Sequence, residues 1–233
     1  MKTGCQKIVF QKLCGLLFCL GVFVLVSCSD EQKPTPDSNP PAPANRVYDG
    51  TIMAMGDSLT AGLGVAEEDA YPAVLQKKLQ QNGYNWQVIN GGISGETSSG
   101  ALSRTNWIIN QQPDIVILET GANDGMRGIP TGIIAENIRQ AVLLFKAAEI
   151  EVVLAGMQML QNLGPVYTEE FAALYPALAE ELNIILVPFF LEQVAGDPSL
   201  NQPDTIHPTP AGYQVVVQNL YPYVVEAIRQ SLQ

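Results

Sequence analysis

Three residue types in this chain could together perform nucleophilic acyl chemistry. Ser58 lies in the stretch GDSLTAG, residues 56–62, directly after a short apolar run. A serine hydroxyl is a poor nucleophile at neutral pH and needs an adjacent base. His207 is the only histidine in the 233 residues, and Asp204 precedes it by three positions in PDTIHPTPAGY. A carboxylate in that loop can accept the ring Nδ1–H and leave Nε2 as a base, so these residues suggest a Ser–His–Asp site.

Each of these residues also has an ordinary structural interpretation. Asp204 suits a loop or a cap, and a single histidine is commonly solvated or enclosed in a core. On the triplet Gly-Asp-Ser alone, the N-cap of the following helix is the favoured role for Ser58. His207 lies at the start of the last predicted helix beside Pro208, which stiffens the backbone, and this placement favours catalysis. The G-x-S-x-G elbow of α/β-hydrolases is absent, which argues against that fold.

An acyl-transfer site also needs hydrogen-bond donors aimed at an oxyanion. Gly92 belongs to a glycine pair after the second predicted strand, where a backbone N–H could approach a ligand without a Cβ in the way. Asn123, in GAND after the third predicted strand, has a side-chain NH₂ that could donate from the opposite side. The alternatives are an ordinary tight turn for Gly92 and a left-handed turn residue for Asn123.

The candidates follow strands of an alternating α/β pattern. The predicted strands span residues 51–55, 86–90, 114–119, 151–155 and 184–187. The predicted helices span residues 71–81, 98–109, 133–148, 168–182 and 210–232. Near-continuous apolar strands separated by helices indicate a parallel sheet covered on both faces. We expect an α/β fold, a doubly wound three-layer α/β/α sandwich with five parallel strands, which binds ligands at the carboxyl ends of its strands.

Apolar residues in two loops at that edge of the sheet form a candidate acyl-chain groove. The loop at 156–167 supplies methionines and leucines, and methionine adapts to irregular apolar ligands. The segment at 126–130 adds a methionine and an isoleucine. The candidate lining residues are Met126, Ile129, Met157, Met159, Leu160 and Leu163. The alternative, that these side chains pack into the core of the domain, is equally compatible with the sequence.

The first 46 residues differ in composition from the rest of the chain. Residues 1–12 carry three lysines and no acid, and an apolar run over 13–26 follows, which predicts a signal peptide over 1–27. The run ends in Leu25-Val-Ser-Cys28, which resembles the lipobox of bacterial lipoproteins and implies cleavage before Cys28 and acylation of its thiol. An uncleaved membrane anchor is the alternative. Residues 28–46 then form an acylated, Pro-rich linker, and the folded domain spans 47–233.

These features predict an exported lipoprotein that is anchored to a membrane through Cys28, in the periplasm or at the cell surface. Ser29 directly after Cys28 favours the outer membrane by analogy with two-membrane bacteria. All four cysteines lie within residues 1–28, so the folded domain has no disulfide, thiol nucleophile or cysteine metal site. The formal net charge of −11 opposes a nucleic-acid groove or a polybasic membrane-binding face. We expect no metal, no organic cofactor, no nucleic-acid partner and a monomer.

Four blocks in the chain together resemble the SGNH (GDSL) hydrolase superfamily. They are GDSL at Ser58, NGGISGETSSG at Gly92, GAND at Asn123, and DTIHP at Asp204 and His207. Longer stretches resemble the branch that contains acyl-CoA thioesterase I, lysophospholipase L1 and arylesterase. The resemblance implies a flavodoxin-like SGNH fold with Ser58 as nucleophile and His207 as base, oriented by Asp204. It also implies an oxyanion hole made from the Ser58 N–H, the Gly92 N–H and the Asn123 side chain.

The activity implied by the resemblance is hydrolysis of small-molecule carboxylic esters, thioesters or lysophospholipids through an acyl-enzyme. A carbohydrate or peptidoglycan O-acetylesterase is the alternative, since SGNH domains also remove acetyl groups from sugars. That activity would need polar, aromatic-rich loops, and the loops here are apolar. A non-catalytic ligand-binding lipoprotein is a third interpretation, disfavoured because Ser58, Asp204 and His207 are all present.

Overall fold

The computed structural model describes residues 47–159 and 163–233 of the chain. The predicted signal peptide, the predicted lipidation site Cys28, the predicted Pro-rich linker and the groove candidate Leu160 lie outside the described residues. All five predicted strands and all five predicted helices lie within the described part.

The described residues contain a five-stranded parallel sheet. The strands are β1 (Gly50–Gly56), β2 (Trp86–Gly92), β3 (Ile115–Glu119), β4 (Glu151–Ala155) and β5 (Ile185–Val187). Their order across the sheet is β2-β1-β3-β4-β5, and each neighbouring pair is parallel. β3 is buried along its whole length, as expected for a central strand covered on both faces. The order reverses at β1, which confirms the predicted flavodoxin-like, doubly wound topology.

Helices cover both faces of the sheet. Those described are α1 (Ser58–Ala61), α2 (Tyr71–Gln81), α3 (Ser98–Ile109), α4 (Ala122–Met126), α5 (Thr131–Ala147), α6 (Pro165–Leu182) and α7 (Pro210–Ser231). Helix α2 packs against α7 on one face, while α3, α5 and α6 pack side by side on the other. None of the helices within 47–159 and 163–233 combines the length and the apolarity that a membrane span requires.

The structure adds two short α-helices and one 3₁₀ helix (Glu67–Asp69) that the sequence pattern did not predict. Helices α1 and α4 have four and five residues, too few to establish an apolar periodicity. Helix α6 begins at Pro165, three residues before the predicted start, because a proline at the first helical position costs no hydrogen bond. The two short helices follow β1 and β3 directly, so they lie at the carboxyl edge where the candidate residues were expected.

Helix α1 packs closely against the end of β2 at Gly92. A Cβ at this position would lie 2.6 Å from the Ala61 Cα and would also collide with the Ala61 backbone nitrogen. Both are backbone atoms, which cannot rotate away as a side chain can. The absence of a side chain at Gly92 is therefore what allows α1 to approach the sheet.

We expect Gly92→Ala to lower the free energy of unfolding by about 1–3 kcal/mol, because the added methyl group forces α1 away from β2. Urea denaturation of the purified domain measures this change. Gly132→Ala is the matched control, since a Cβ there meets nothing within 4 Å and alanine favours the α5 helix. Equal stability of the Gly92 and Gly132 variants would contradict the packing role.

Candidate active site

Ser58 is the first residue of α1, immediately after the carboxyl end of β1. The N-cap of this helix is Asp57, whose Oδ1 accepts the Leu59 N–H at 2.9 Å. The capping role considered for Ser58 therefore belongs to Asp57. The Ser58 hydroxyl is left to bond a partner from elsewhere in the fold.

That partner is the imidazole of His207. Ser58 Oγ lies 2.8 Å from His207 Nε2, and His207 Nδ1 lies 2.7 Å from Asp204 Oδ2. Both distances are within hydrogen-bond range, so hydroxyl, imidazole and carboxylate form a continuous chain. The His207 side chain is 13% exposed and that of Asp204 is 45% exposed. The structure thus brings together the three residues that the sequence selected for nucleophilic chemistry.

The Asp204 carboxylate fixes the tautomer of the ring. Asp204 Oδ1 accepts the backbone N–H groups of His207 and Ile206, each at 3.0 Å. These two backbone hydrogen bonds, together with the one from the His207 ring, lower the pKa of Asp204 to about 2. An ionised carboxylate only accepts hydrogen bonds, so Nδ1 carries a proton and Nε2 of the neutral ring accepts from the Ser58 hydroxyl. Asp204 therefore both shapes its loop and orients the ring.

Two residues that the sequence did not single out hold the loop before α7 against the α1 turn. Gln202 Nε2 donates to the Leu63 carbonyl at 2.7 Å and to the Pro208 carbonyl at 3.0 Å. The buried Tyr213 hydroxyl donates to the Leu59 carbonyl at 2.9 Å. Their partners are backbone carbonyls that any residue provides, so no sequence motif identifies these contacts.

Asn123 is the second residue of α4, directly after β3. Its Nδ2 donates to Asp57 Oδ2 at 2.9 Å, and the residue is 9% exposed. An amide nitrogen carries two hydrogens, so the second remains for a ligand. The left-handed backbone considered for Asn123 occurs instead at Gly121, the N-cap of α4, with φ of 103°.

The structure does not leave the Gly92 N–H free for an oxyanion, in contrast to the expectation from the sequence. This N–H donates to Asn90 Oδ1 at 3.0 Å, and Gly92 ends β2 paired with Gly56. Gly95, in the same loop, has φ of 80°, open space beside its Cα, and an N–H with no hydrogen-bond acceptor among the described residues. Gly95 therefore offers a free backbone donor in this loop, with no Cβ to hinder the approach of a ligand. The glycine pair is the more conspicuous feature of the sequence, whereas the single glycine of the following turn carries no comparable signal.

The groove candidates differ in burial. Met157 is 3% exposed and packs into the core just beyond β4, so it does not line a groove and that prediction is wrong. Ile129 and Met159 are partly buried against the same core. Met126 and Leu163 are 51% and 40% exposed. These last two remain available to an apolar ligand.

Polar contacts fix the β2–α3 loop relative to its neighbours. Arg104 Nε and Nη2 each lie 2.6 Å from a carboxylate oxygen of Glu96, and both side chains are largely buried. Arg104 Nη2 also donates to the Gly56 carbonyl at 3.3 Å. On the other side, the Ser98 N–H and hydroxyl donate to the Asp124 carboxylate at 2.7 Å each. The loop that carries Gly95 is thereby tied to both β1 and α4.

Known proteins share this sequence pattern. A family model described as the GDSL-like Lipase/Acylhydrolase family matches residues 54–215. "Esterase TesA" of Pseudomonas aeruginosa is 38% identical over 173 residues, which cover 74% of this chain and 86% of that protein. "Thioesterase 1/protease 1/lysophospholipase L1" of Escherichia coli (strain K12) is 36% identical over 184 residues, which cover 78% of this chain and 83% of that protein.

The fold also matches a solved structure. The psychrotrophic esterase EstA from Pseudoalteromonas sp., in a form inhibited by monoethylphosphonate, superposes with a TM-score of 0.74 at 32% identity. The match covers 78% of this chain and 100% of that one. The family match extends over the candidate residues on four loops at the carboxyl edge. This chain therefore belongs to the GDSL-like lipase/acylhydrolase family.

Proposed function

We propose that this enzyme is a serine hydrolase that cleaves carboxylic esters and thioesters, with Ser58 as nucleophile and His207 as base. The observation that carries the proposal is the pair of hydrogen bonds at the carboxyl edge. Ser58 Oγ and His207 Nε2 are 2.8 Å apart, and His207 Nδ1 and Asp204 Oδ2 are 2.7 Å apart. The names of two relatives, an esterase and a thioesterase that is also a lysophospholipase, support the same activity.

In the acylation step, His207 Nε2 takes the Ser58 proton while Oγ bonds to the substrate carbonyl carbon. The carbonyl electron pair moves to oxygen, and the N–H groups of Ser58 and Gly95 and the Asn123 amide donate to this oxyanion. Collapse of the intermediate breaks the C–O or C–S bond, and His207 returns its proton to the leaving alcohol or thiol. Asp204, ionised throughout, stabilises the transient imidazolium.

In the deacylation step, water replaces the nucleophile. His207 Nε2 takes a proton from the water as its oxygen attacks the acyl-enzyme, and the same donors stabilise the second oxyanion. Collapse returns the proton to Ser58 Oγ and releases the carboxylic acid. One imidazole therefore serves both half-reactions, which agrees with its position between the hydroxyl and the carboxylate.

The substrates that this site fits best have an apolar acyl group. Met126 lies three residues after Asn123 and is 51% exposed, and Leu163 is 40% exposed on the loop after β4. Both side chains are at the edge that carries Ser58, where they would contact an acyl chain that extends away from the reacting carbonyl. Esters, thioesters and lysophospholipids all supply such a chain.

We further propose that the mature enzyme is a monomer tethered to a membrane by lipid on Cys28. The proposal comes from the apolar leader that ends in Leu25-Val-Ser-Cys28 and from the Pro-rich segment after it. A Pro-rich segment extends by about 3.1 Å per residue, so this linker would let the domain reach substrates near the membrane surface. Ser29 after the cysteine favours the outer membrane of a two-membrane bacterium.

We expect Ser58→Ala to reduce hydrolysis of p-nitrophenyl esters by at least ~10³-fold, because the bond-forming oxygen is removed. The same change should abolish labelling by a fluorophosphonate probe, detected by intact-protein mass spectrometry. Ser99→Ala, an exposed serine on α3, is the control and should label like the wild type. Persistent labelling or turnover in the Ser58 variant would overturn the proposed function.

We expect Asn123→Ala to lower kcat by about 100- to 1,000-fold with little change in KM, because its amide donates to a charge present only in the transition state. Steady-state kinetics on one ester measure both parameters. Asn106→Ala, at an exposed position on α3, controls for loss of an asparagine elsewhere. A wild-type kcat in the Asn123 variant would remove this residue from the oxyanion hole.

We expect Cys28→Ala to abolish incorporation of a fatty-acyl label into the enzyme, because the acylated thiol is lost. Specific activity of the unlabelled variant should stay within about twofold, since the catalytic chain lies in the folded domain. Cys19→Ala alters a leader cysteine outside the lipobox-like stretch and should leave the label in place. Acyl labelling that survives the Cys28 change would exclude this anchor.

A further inference from the structure

A carboxyl side chain with no role in the reaction described above lies directly beneath the nucleophile turn. Glu119 is the last residue of β3 and is completely buried. Asp57, the N-cap of α1, is 2% exposed and lies at the end of the neighbouring strand β1. Two ionised acids buried side by side would destabilise the fold, because burial and mutual repulsion both oppose ionisation. Such a pair is stable when the two groups share a proton.

One oxygen of Glu119 is built into the turn that presents Ser58. Glu119 Oε2 accepts the Asp57 N–H at 3.0 Å and the Thr60 hydroxyl at 2.9 Å. The fit leaves no room for a side chain at Gly56, whose Cβ would lie 2.5 Å from this oxygen. Glu119 therefore holds the backbone just before Ser58 and the Thr60 side chain just after it.

The other oxygen of Glu119 indicates where a proton resides. Glu119 Oε1 is buried and accepts no hydrogen bond from the described residues. The Asp57 carboxylate, by contrast, accepts the Leu59 N–H at 2.9 Å and the Asn123 amide at 2.9 Å. Burial raises the pKa of both acids, and the nearby Asp57 charge adds to the effect on Glu119, whose pKa lies well above its ordinary value. A proton on Glu119 lets this carboxyl group donate in the side-chain hydrogen bond that links it to Asp57, and it leaves Asp57 as the anion.

We propose that Glu119 is a neutral, protonated positioning residue that donates to the Asp57 carboxylate and so keeps Asp57 an acceptor for the Asn123 amide. The inference rests on the proposed function, in which Asn123 donates to the oxyanion. A carboxylate at Asp57 can only accept, so it binds the NH₂ end of the Asn123 amide and leaves the second N–H for the substrate.

The location of the proton decides which end of the Asn123 amide faces the substrate. A protonated Asp57 could donate to the amide oxygen, which would allow the amide to rotate by 180°. The amide would then offer neither N–H to the oxyanion. Two ionised carboxylates would instead add a second negative charge beside the developing oxyanion. A single proton held on Glu119 avoids both outcomes.

Other titratable groups surround the pair, and they do not compete for the proton. Tyr71 on α2, Tyr175 on α6 and Tyr213 on α7 face Glu119, and burial raises the pKa of each of these phenols above its ordinary value. These three phenols therefore stay neutral at pH 7. His207 also acts on Asp57, because a positive charge on its ring favours the ionised form of that acid.

The test compares Glu119→Gln with Glu119→Leu. Glutamine can accept the Asp57 N–H and the Thr60 hydroxyl through its oxygen and donate to the Asp57 carboxylate through its nitrogen, so kcat should stay within about threefold of the wild type. Leucine can do neither, and kcat should fall by about tenfold or more with KM within about twofold. Glu180→Gln, at an exposed position on α6, is the matched control and should match the wild type.

Two measurements report the proton itself. Infrared spectra of the wild type and of Glu180→Gln at pH 7 should contain the carbonyl stretch of a protonated carboxyl group, and Glu119→Gln should lack it. Stability gives the second readout, because the unfolded chain releases the Glu119 proton above about pH 4.3 while the folded protein retains it. The native state then binds more protons than the unfolded state, so the wild type should lose stability relative to Glu119→Gln as the pH rises from 4.5 to 7.

The outcomes separate this inference from the proposed function. Turnover or labelling in Ser58→Ala would defeat the proposed function whatever the Glu119 variants do. An inactive Ser58→Ala together with a wild-type kcat in Glu119→Leu would overturn the positioning role alone. Absence of the protonated-carboxyl band from the wild type at pH 7 would overturn it as well, and this measurement stands even if the leucine variant fails to fold.

Discussion

The hydrogen bond between Ser58 Oγ and His207 Nε2 joins residues 149 positions apart, and the rest of the site depends on it. Parallel strands place every loop that follows a strand at one edge, which brings the α1 turn and the loop before α7 into the same region. Loops at the same edge of a sheet need not touch each other. Here Gln202 and Tyr213 join the two segments, because they donate hydrogen bonds to the Leu63 and Leu59 carbonyls at the two ends of the α1 turn.

Two acids near the nucleophile are held in opposite protonation states by opposite environments. Asp204 is largely solvated and accepts two backbone N–H groups, so its pKa lies near 2 and it remains an anion beside the ring. Glu119 is enclosed by the sheet and three helices, so burial raises its pKa and favours the neutral form. A carboxyl group thus orients the His207 imidazole when it is ionised, at Asp204, and orients the Asp57 carboxylate when it is neutral, at Glu119.

Much of the fold was predictable, because strands and helices have local signatures. The apolar runs before Gly56 and Asn123 located β1 and β3 to within a residue or two, and the lone histidine with its nearby acid identified the base. What the sequence could not provide were contacts whose partners are backbone atoms or distant side chains. Glu119 is hidden at the end of an apolar strand, and Met157 differs from an exposed methionine only through the packing around it.

The glycines of the two recognisable blocks illustrate the same limit. Gly56 and Gly92 are both required by close approach within the protein, the first by the Glu119 carboxyl and the second by the α1 backbone. Neither offers its N–H to a substrate, although each lies within a few residues of the nucleophile or of a candidate oxyanion donor. The glycine that does face open space is Gly95, where a positive φ turns the chain and frees the N–H. A glycine in such a motif can therefore be required by close packing of the nucleophile turn or by the approach of a ligand. Only the atoms around the glycine show which of these two reasons applies.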